Sequence, residues 1–190
     1  MLVFMDFEAS GLTDDSYPIE VAWVFEDGRT GSYLIRPAPN WTSWTDSAED
    51  THRITRETLA EKGEPAAVVA HALVDTLSGH DLFASAPTWD GKWLGDLLEA
   101  GGFPRQLLRL RDTEEAQAEI IADMLGIDLA TAERPPGEEL PSMVEDIMVM
   151  AAMRERRIHH HRALDDAEEE RRRWFTVRDM AEKQKSGMAG

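Results

Sequence analysis

The sequence predicts an α/β protein: one mixed sheet with helices packed on it. Two observations carry that expectation. Three short apolar runs, residues 1–7, 19–26 and 31–36, precede any helical periodicity. From residue 55 onward, helical and strand patterns alternate. Strands in series followed by interleaved helices and strands fit a sheet covered by helices. The 190 residues, 42 % of them hydrophobic, are enough for one ordinary core.

Each element has its own reason. Residues 1–7 (MLVFMDF) read as a buried strand with an acid near its end. Gly11, Asp14, Asp15, Ser16 and Pro18 make a turn region. Residues 19–26 (IEVAWVFE) form a second strand, Asp27-Gly28 gives a hairpin turn, and residues 31–36 (GSYLIR) return as a third. Together they make an antiparallel meander. Residues 37–50, rich in Trp, Ser and Thr, read as a loop. Thr55 caps a helix over 55–62, and Pro65 opens another whose face carries Val68, Val69, Ala72, Leu73 and Leu77. Residues 81–86 form a short strand ended by Pro87, and a helix runs from about Asp90 to Ala100. Residues 105–111 give a further strand and 114–125 a further helix. The Pro- and Glu-rich segment 131–141 is a loop, 142–157 a Met-rich helix, and 164–175 a last helix after a break at 159–162. The expectation is a single domain over 1–180 and a flexible tail over 181–190.

Composition narrows the chemistry. The chain has no cysteine, so disulfides and thiolate metal sites are excluded. Any metal must sit on oxygen or imidazole ligands, which favours hard ions such as Mg²⁺ or Mn²⁺. The net charge is −17. A protein that coats duplexes is usually basic, because phosphate contacts supply much of its affinity. An acidic one that binds nucleic acid should do so in a small local site, with metal ions supplying positive charge. Solubility alone also accounts for such acidity. The sequence shows no signal peptide and no membrane span. The expected location is the cytoplasm.

Asp-x-Glu occurs at Asp6, Asp112 and Asp166, so the pattern alone decides nothing. Context separates the three. Asp6 and Glu8 lie two apart on a strand and therefore point to one face. Adjacent carboxylates there repel, and a divalent cation resolves the repulsion. Solvated acids at a strand end are the plainer alternative. Gly11 lets the chain turn tightly beside a ligand.

The run Met1 to Leu12 (MLVFMDFEASGL) resembles the first motif of the DEDDh 3′→5′ exonuclease family, which includes oligoribonuclease, RNase T and polymerase proofreading subunits. Two further segments resemble the family's other motifs in order. Residues 86–94 (APTWDGKWL) place Asp90 at the start of a helix after the fourth strand, and 161–167 (HRALDDA) match His-x-Ala-x-x-Asp-Ala. Residues 52–55 (HRIT) are similar to a His-Gly-Ile-Thr element, with Arg53 in place of Gly. The resemblance spans residues 1 to about 170. It implies an RNase H-like mixed five-stranded sheet, the three-stranded antiparallel meander plus two parallel strands, flanked by helices. His160 with Asp165 has the same spacing as His161 with Asp166, but its flanks match less well.

The resemblance also implies roles. Hydrolysis of a phosphodiester needs an activated water and a stabilised leaving oxygen, and two metals about 4 Å apart can supply both. Asp6, Glu8, Asp90 and Asp166 would hold two Mg²⁺ or Mn²⁺ ions, and His161 would be the general base. Leu12 stands where the family wedges an apolar residue between terminal bases, and Phe7 would present its backbone to the 3′ nucleotide. Gly11, Trp89 and Arg162 complete the substrate-binding set, with Trp41, Trp44 and His52 as further candidates. Trp23 and Trp93 are expected in the core, and the Arg171–Arg173 and Glu168–Glu170 runs on a solvated helix face. The expected substrate is the 3′ end of single-stranded nucleic acid, RNA slightly ahead of DNA. The alternatives are a DNA-directed proofreading or repair exonuclease and an inactive nucleic-acid-binding module on the same fold. A homodimer is an open expectation.

Overall fold

The computed structural model describes residues 1–133, 140–154 and 161–188. Six strands form one sheet: β1 (Leu2–Ala9), β2 (Pro18–Phe25), β3 (Thr30–Arg36), β4 (Glu64–Pro65), β5 (Asp81–Ala84) and β6 (Leu110–Asp112), in the order β4-β3-β2-β1-β5-β6. The helices are α1 (Asp46–His52), α2 (Arg56–Lys62), α3 (Ala66–Leu77), α4 (Pro87–Ala100), α5 (Thr113–Leu125), α6 (Ser142–Arg154) and α7 (Ala163–Met188). β1, β2 and β3 pair antiparallel, whereas β5 runs parallel to β1, and β6 parallel to β5. The chain thus has the expected RNase H-like mixed sheet, with the two-residue β4 added at the β3 edge.

The period-2 alternation of β1 positions the site. Val3, Met5, Phe7 and Ala9 enter the main core with α3 and α4, against Val69, Leu73, Leu77, Leu94 and Leu97. Phe4 faces the opposite side and packs with Phe83 and with Trp174 of α7. Asp6 and Glu8 continue that second face toward the strand's end, beyond the apolar cover. A third cluster joins α5, α6 and α7 through Ile121, Val144, Ile147, Val177 and Ala181.

Several boundaries differ from the expected ones for local reasons. Residues 46–52 form helix α1 instead of loop; its cap, Thr45, donates through both its backbone N–H and its hydroxyl to Ser10 O, which ties the helix to the end of β1. Helix α4 begins at Pro87 and not near Asp90, because proline is pre-shaped for a first helical turn. The strand expected at 105–111 shrinks to Leu110–Asp112. Asp112 closes it by capping α5, accepting from the N–H groups of Glu114 and Glu115, so this Asp-x-Glu is a helix cap. Helix α7 continues past Phe175 to Met188. The block Glu168–Arg173 is not one solvated face: Glu169, Glu170 and Arg173 are buried, and only Glu168 and Arg172 form an exposed pair. Arg171 donates to Glu26 O and so fastens α7 to the turn after β2. Among the described residues, no helix is long and apolar enough to cross a membrane.

Candidate active site

The two strands that run parallel, β1 and β5, end on the same side of the sheet. Crevices beyond the carboxyl ends of parallel strands are where open α/β sheets bind ligands. Asp6 and Glu8 sit at that end of β1, and Asp166 descends onto them from the first turn of α7. One carboxylate oxygen from each of the three lies within 4.8 Å of the others. Asp165, the neighbouring alternative, is exposed. Asp90 lies in the first turn of α4, only 2 % exposed, where its Oδ2 accepts from the N–H of Ala86 at 3.3 Å.

This packing strains the charges. At separations of 4–5 Å and an effective dielectric near 20, two like charges repel by about 3–4 kcal/mol. Burial pushes the Asp6 carboxyl well above the usual carboxylate range, and the charges of Asp90, Glu8, Asp166 and Glu170 push it the same way. Glu8 is raised to about 8 by burial first and by Asp166 and Glu20 next, with Arg162 opposing. Asp90 is raised to about 7 by burial, with its hydrogen bond to Ala86 opposing and Glu170 adding. Carboxyls so placed hold protons at neutral pH unless a cation replaces them. An all-oxygen donor set in a chain without cysteine fits a hard divalent cation.

His161 precedes α7 by two residues and is exposed. Its φ of 50° puts it in the left-handed region, where His is enriched among non-glycine residues. His159 and His160 lie outside the described residues. Arg162 carries the backbone carbonyl that accepts from Asp166 N, and its guanidinium is turned to Glu20 on β2. Nε donates to Oε2 at 3.0 Å and Nη2 to Oε1 at 2.6 Å, while the N–H of Ala163 donates to Oε2 at 3.1 Å.

Beside Glu8 opens a cavity of about 500 Å³, lined by Phe7, Gly11, Leu12, His52, Thr45 and Trp93 among others. Four sequence-predicted substrate residues, Phe7, Gly11, Leu12 and His52, therefore meet in one place. Leu12 is 71 % exposed, an apolar side chain standing at the rim. Gly11 packs closely: a Cβ there would lie 3.0 Å from the Thr45 side chain, which would have to shift by a few tenths of an ångström. His52 is buried; its Nδ1 accepts from the N–H of Ile54, and burial lowers its pKa.

The tryptophans sort differently. Trp93 lines the cavity and anchors its Nε1 on Ser16 Oγ at 3.0 Å, so it serves both the core and the wall. Trp89 stacks behind it at 5.7 Å. Trp41 stacks on Tyr17 at 5.5 Å, and Trp44 donates to Glu49 beneath Arg56. Both pack on the small cluster of Tyr17, Ile19, Ile54 and Leu59.

Sequence reasoning missed three features. Glu20 was visible at the start of β2, but its partner lies 142 residues away. The cavity-side role of Trp93 was hidden because a half-lining tryptophan has the same spacing as a core one. The Glu170–Arg173 pair beneath the site had a signal, the i, i+4, i+7 spacing from Asp166 along the buried face of α7.

No family model matches the sequence, and no curated protein matches it. Solved structures do match. Exonuclease I from Methylocaldum szegediense shares 18 % identity at a TM-score of 0.65, covering 94 % of this chain and 40 % of that one. Escherichia coli exonuclease I with a dT13 oligonucleotide gives 15 % identity and a TM-score of 0.58, covering 95 % and 40 %. The zinc-bound form of the same enzyme with single-stranded DNA gives 14 % and 0.60, covering 95 % and 39 %. The chain spans about two fifths of the length of these structures. At such identity the likeness establishes a common fold.

Proposed function

We propose that this protein is a metal-dependent 3′→5′ exonuclease acting on single-stranded DNA. The observation that carries the reading is the convergence of Asp6, Glu8 and Asp166 within 4.8 Å beside a cavity large enough for a nucleotide. The shared fold with exonuclease I, seen bound to single-stranded DNA, moves the substrate from RNA, slightly favoured on sequence, to DNA.

Divalent cations held by these carboxylates would supply activation of the attacking water and neutralise charge at the leaving oxygen. In this reading Asp6, Glu8 and Asp166 are the primary ligands, and two Mg²⁺ or Mn²⁺ ions are the expected complement. Asp90, whose charge acts on Asp6, would support a second ion. His161 takes the proton of the attacking water, and its exposed position lets it pass that proton to solvent. Leu12 packs against the terminal base, while Trp93 and Phe7 wall the nucleotide. His52 and Gly11 shape the floor. Arg162 is assigned to Glu20 before any phosphate, because its Nε and Nη2 both donate there.

The test is a gel assay with 5′-labelled single-stranded DNA and RNA of one sequence, with Mg²⁺, Mn²⁺ or EDTA. The expected result is a ladder shortening from the 3′ end of DNA, lost in EDTA and in Asp6→Asn. Metal-dependent binding of single strands without any cleavage would instead favour an inactive module.

A further inference from the structure

We infer that Glu20 and Arg162 form a clasp that positions the third motif, making both of them positioning residues for the hydrolysis proposed above; the inference rests on that reading. Three observations carry it. Glu20 is 4 % exposed, and its carboxylate accepts the Nε and Nη2 donors of Arg162 and the N–H of Ala163. A buried carboxylate with three donors is fixed in rotamer and place. Glu20 also stands directly opposite Glu8 in the β1–β2 register, so the two side chains share one face of the sheet. The clasp thus bonds the first residue of α7 to the strand beside a proposed metal ligand.

The consequence follows along the chain. His161 is the residue before Arg162, and Asp166 N donates to Arg162 O. Fixing Arg162 and Ala163 to β2 therefore sets the origin of α7, from which Asp166 reaches Asp6 and Glu8. It also fixes the peptide on which His161 holds its left-handed backbone. The sheet carries two of the proposed ligands and the helix carries the third, and the clasp bonds the helix directly to the sheet at this end. Arg162 has a second effect, because its positive charge partly offsets the carboxylates of both Glu20 and Glu8. Altering a side chain that orients a metal ligand typically costs about 10–100-fold in affinity or activity.

The experiment compares Glu20→Gln, Arg162→Lys and the double variant in the full chain, with Arg172→Ala as a control on the exposed face of α7. Folding is checked by circular dichroism. Mn²⁺ affinity is measured calorimetrically without DNA, and kcat and KM are measured on 5′-labelled single-stranded DNA. The expected result is a fall of about 10–100-fold in kcat for each single variant, with KM changed less than about threefold. Mn²⁺ affinity should weaken alongside, and the double variant should be no worse than the worse single one. A KM that rises tenfold at constant kcat in Arg162→Lys, with Glu20→Gln silent, would overturn the clasp and make Arg162 a phosphate ligand. Unchanged Mn²⁺ affinity and kcat in both variants would overturn it too. Should wild type bind Mn²⁺ yet cleave nothing, the exonuclease reading fails separately, and the Mn²⁺ arm still decides whether the clasp orders the ligands.

Discussion

Glu8 and Glu20 face each other across β1 and β2 on the same side of the sheet, yet the fold treats them oppositely. Glu20 is enclosed by donors from Arg162 and Ala163. Glu8 meets other carboxylates, and burial with Asp166 and Glu20 raises it to about 8. The same contrast recurs along α7. Glu169 and Glu170 are buried against Arg173, whereas Asp166, one turn earlier, joins Asp6 and Glu8. Acids that the chain compensates with its own cations build the frame. Acids that it leaves among other acids hold protons in the metal-free protein and form the proposed cation site.

The largest test of that contrast removes one acid from the second class. Asp6→Asn should abolish strand shortening, by more than the 10–100-fold a supporting residue costs. The same change should raise the melting temperature of the metal-free protein at pH 8, because it relieves repulsion in a buried site. An Asp6→Asn protein that melts lower and still cuts would break the comparison.

Removing a cation from the first class should do the reverse. Arg173→Leu strands Glu169 and Glu170 in a buried site and should destabilise the fold by about 3–5 kcal/mol in urea titrations. Arg172→Ala, on the exposed side of the same helix, should stay within about 0.5 kcal/mol. Equal losses at the two positions would contradict the division of α7 into buried and solvated charges.

Acidity gives a graded effect. Unfolded carboxyls ionise near pH 4, while folded Asp90 and Glu8 keep protons to about 7 and about 8. Between those limits the folded state binds more protons than the unfolded one. The stability these two carboxyls give the metal-free protein should therefore be full below about pH 4 and be lost as the pH rises from there through about 7 and about 8. Mg²⁺ at pH 8 should restore the lost stability, as read from melting curves with and without EDTA. The smallest effect belongs to the rim. Leu12→Ala should leave the melting temperature nearly unchanged and raise KM for DNA by roughly 5–10-fold, about 1 kcal/mol of lost apolar contact.

Much of this frame was legible in the sequence because its signals are local. The alternation in residues 1–7 sets which face of β1 carries Asp6 and Glu8, and the Asp27-Gly28 turn sets the meander. Thr55 caps α2 as expected, accepting from Thr58 N. What could not be read depends on distant partners. Helix α1 looked like loop because its seven residues gain their order from Ser10 and not from their own periodicity. Glu20 had no visible role until α7 was brought to it, and Arg173 read as a surface cation until its helix turned inward. The register of the third motif rested on flanking residues; Asp166 in the cluster and Asp165 in solvent favour the pair with His161.

The most direct test of the central claim is a calorimetric titration of Mn²⁺ into the metal-free protein at pH 7, repeated in buffers of different ionisation enthalpy. The account predicts binding that wild type shows and Asp6→Asn loses, accompanied by release of protons from the buried carboxyls. Binding of equal strength in Asp6→Asn, or binding with no proton release, would contradict it.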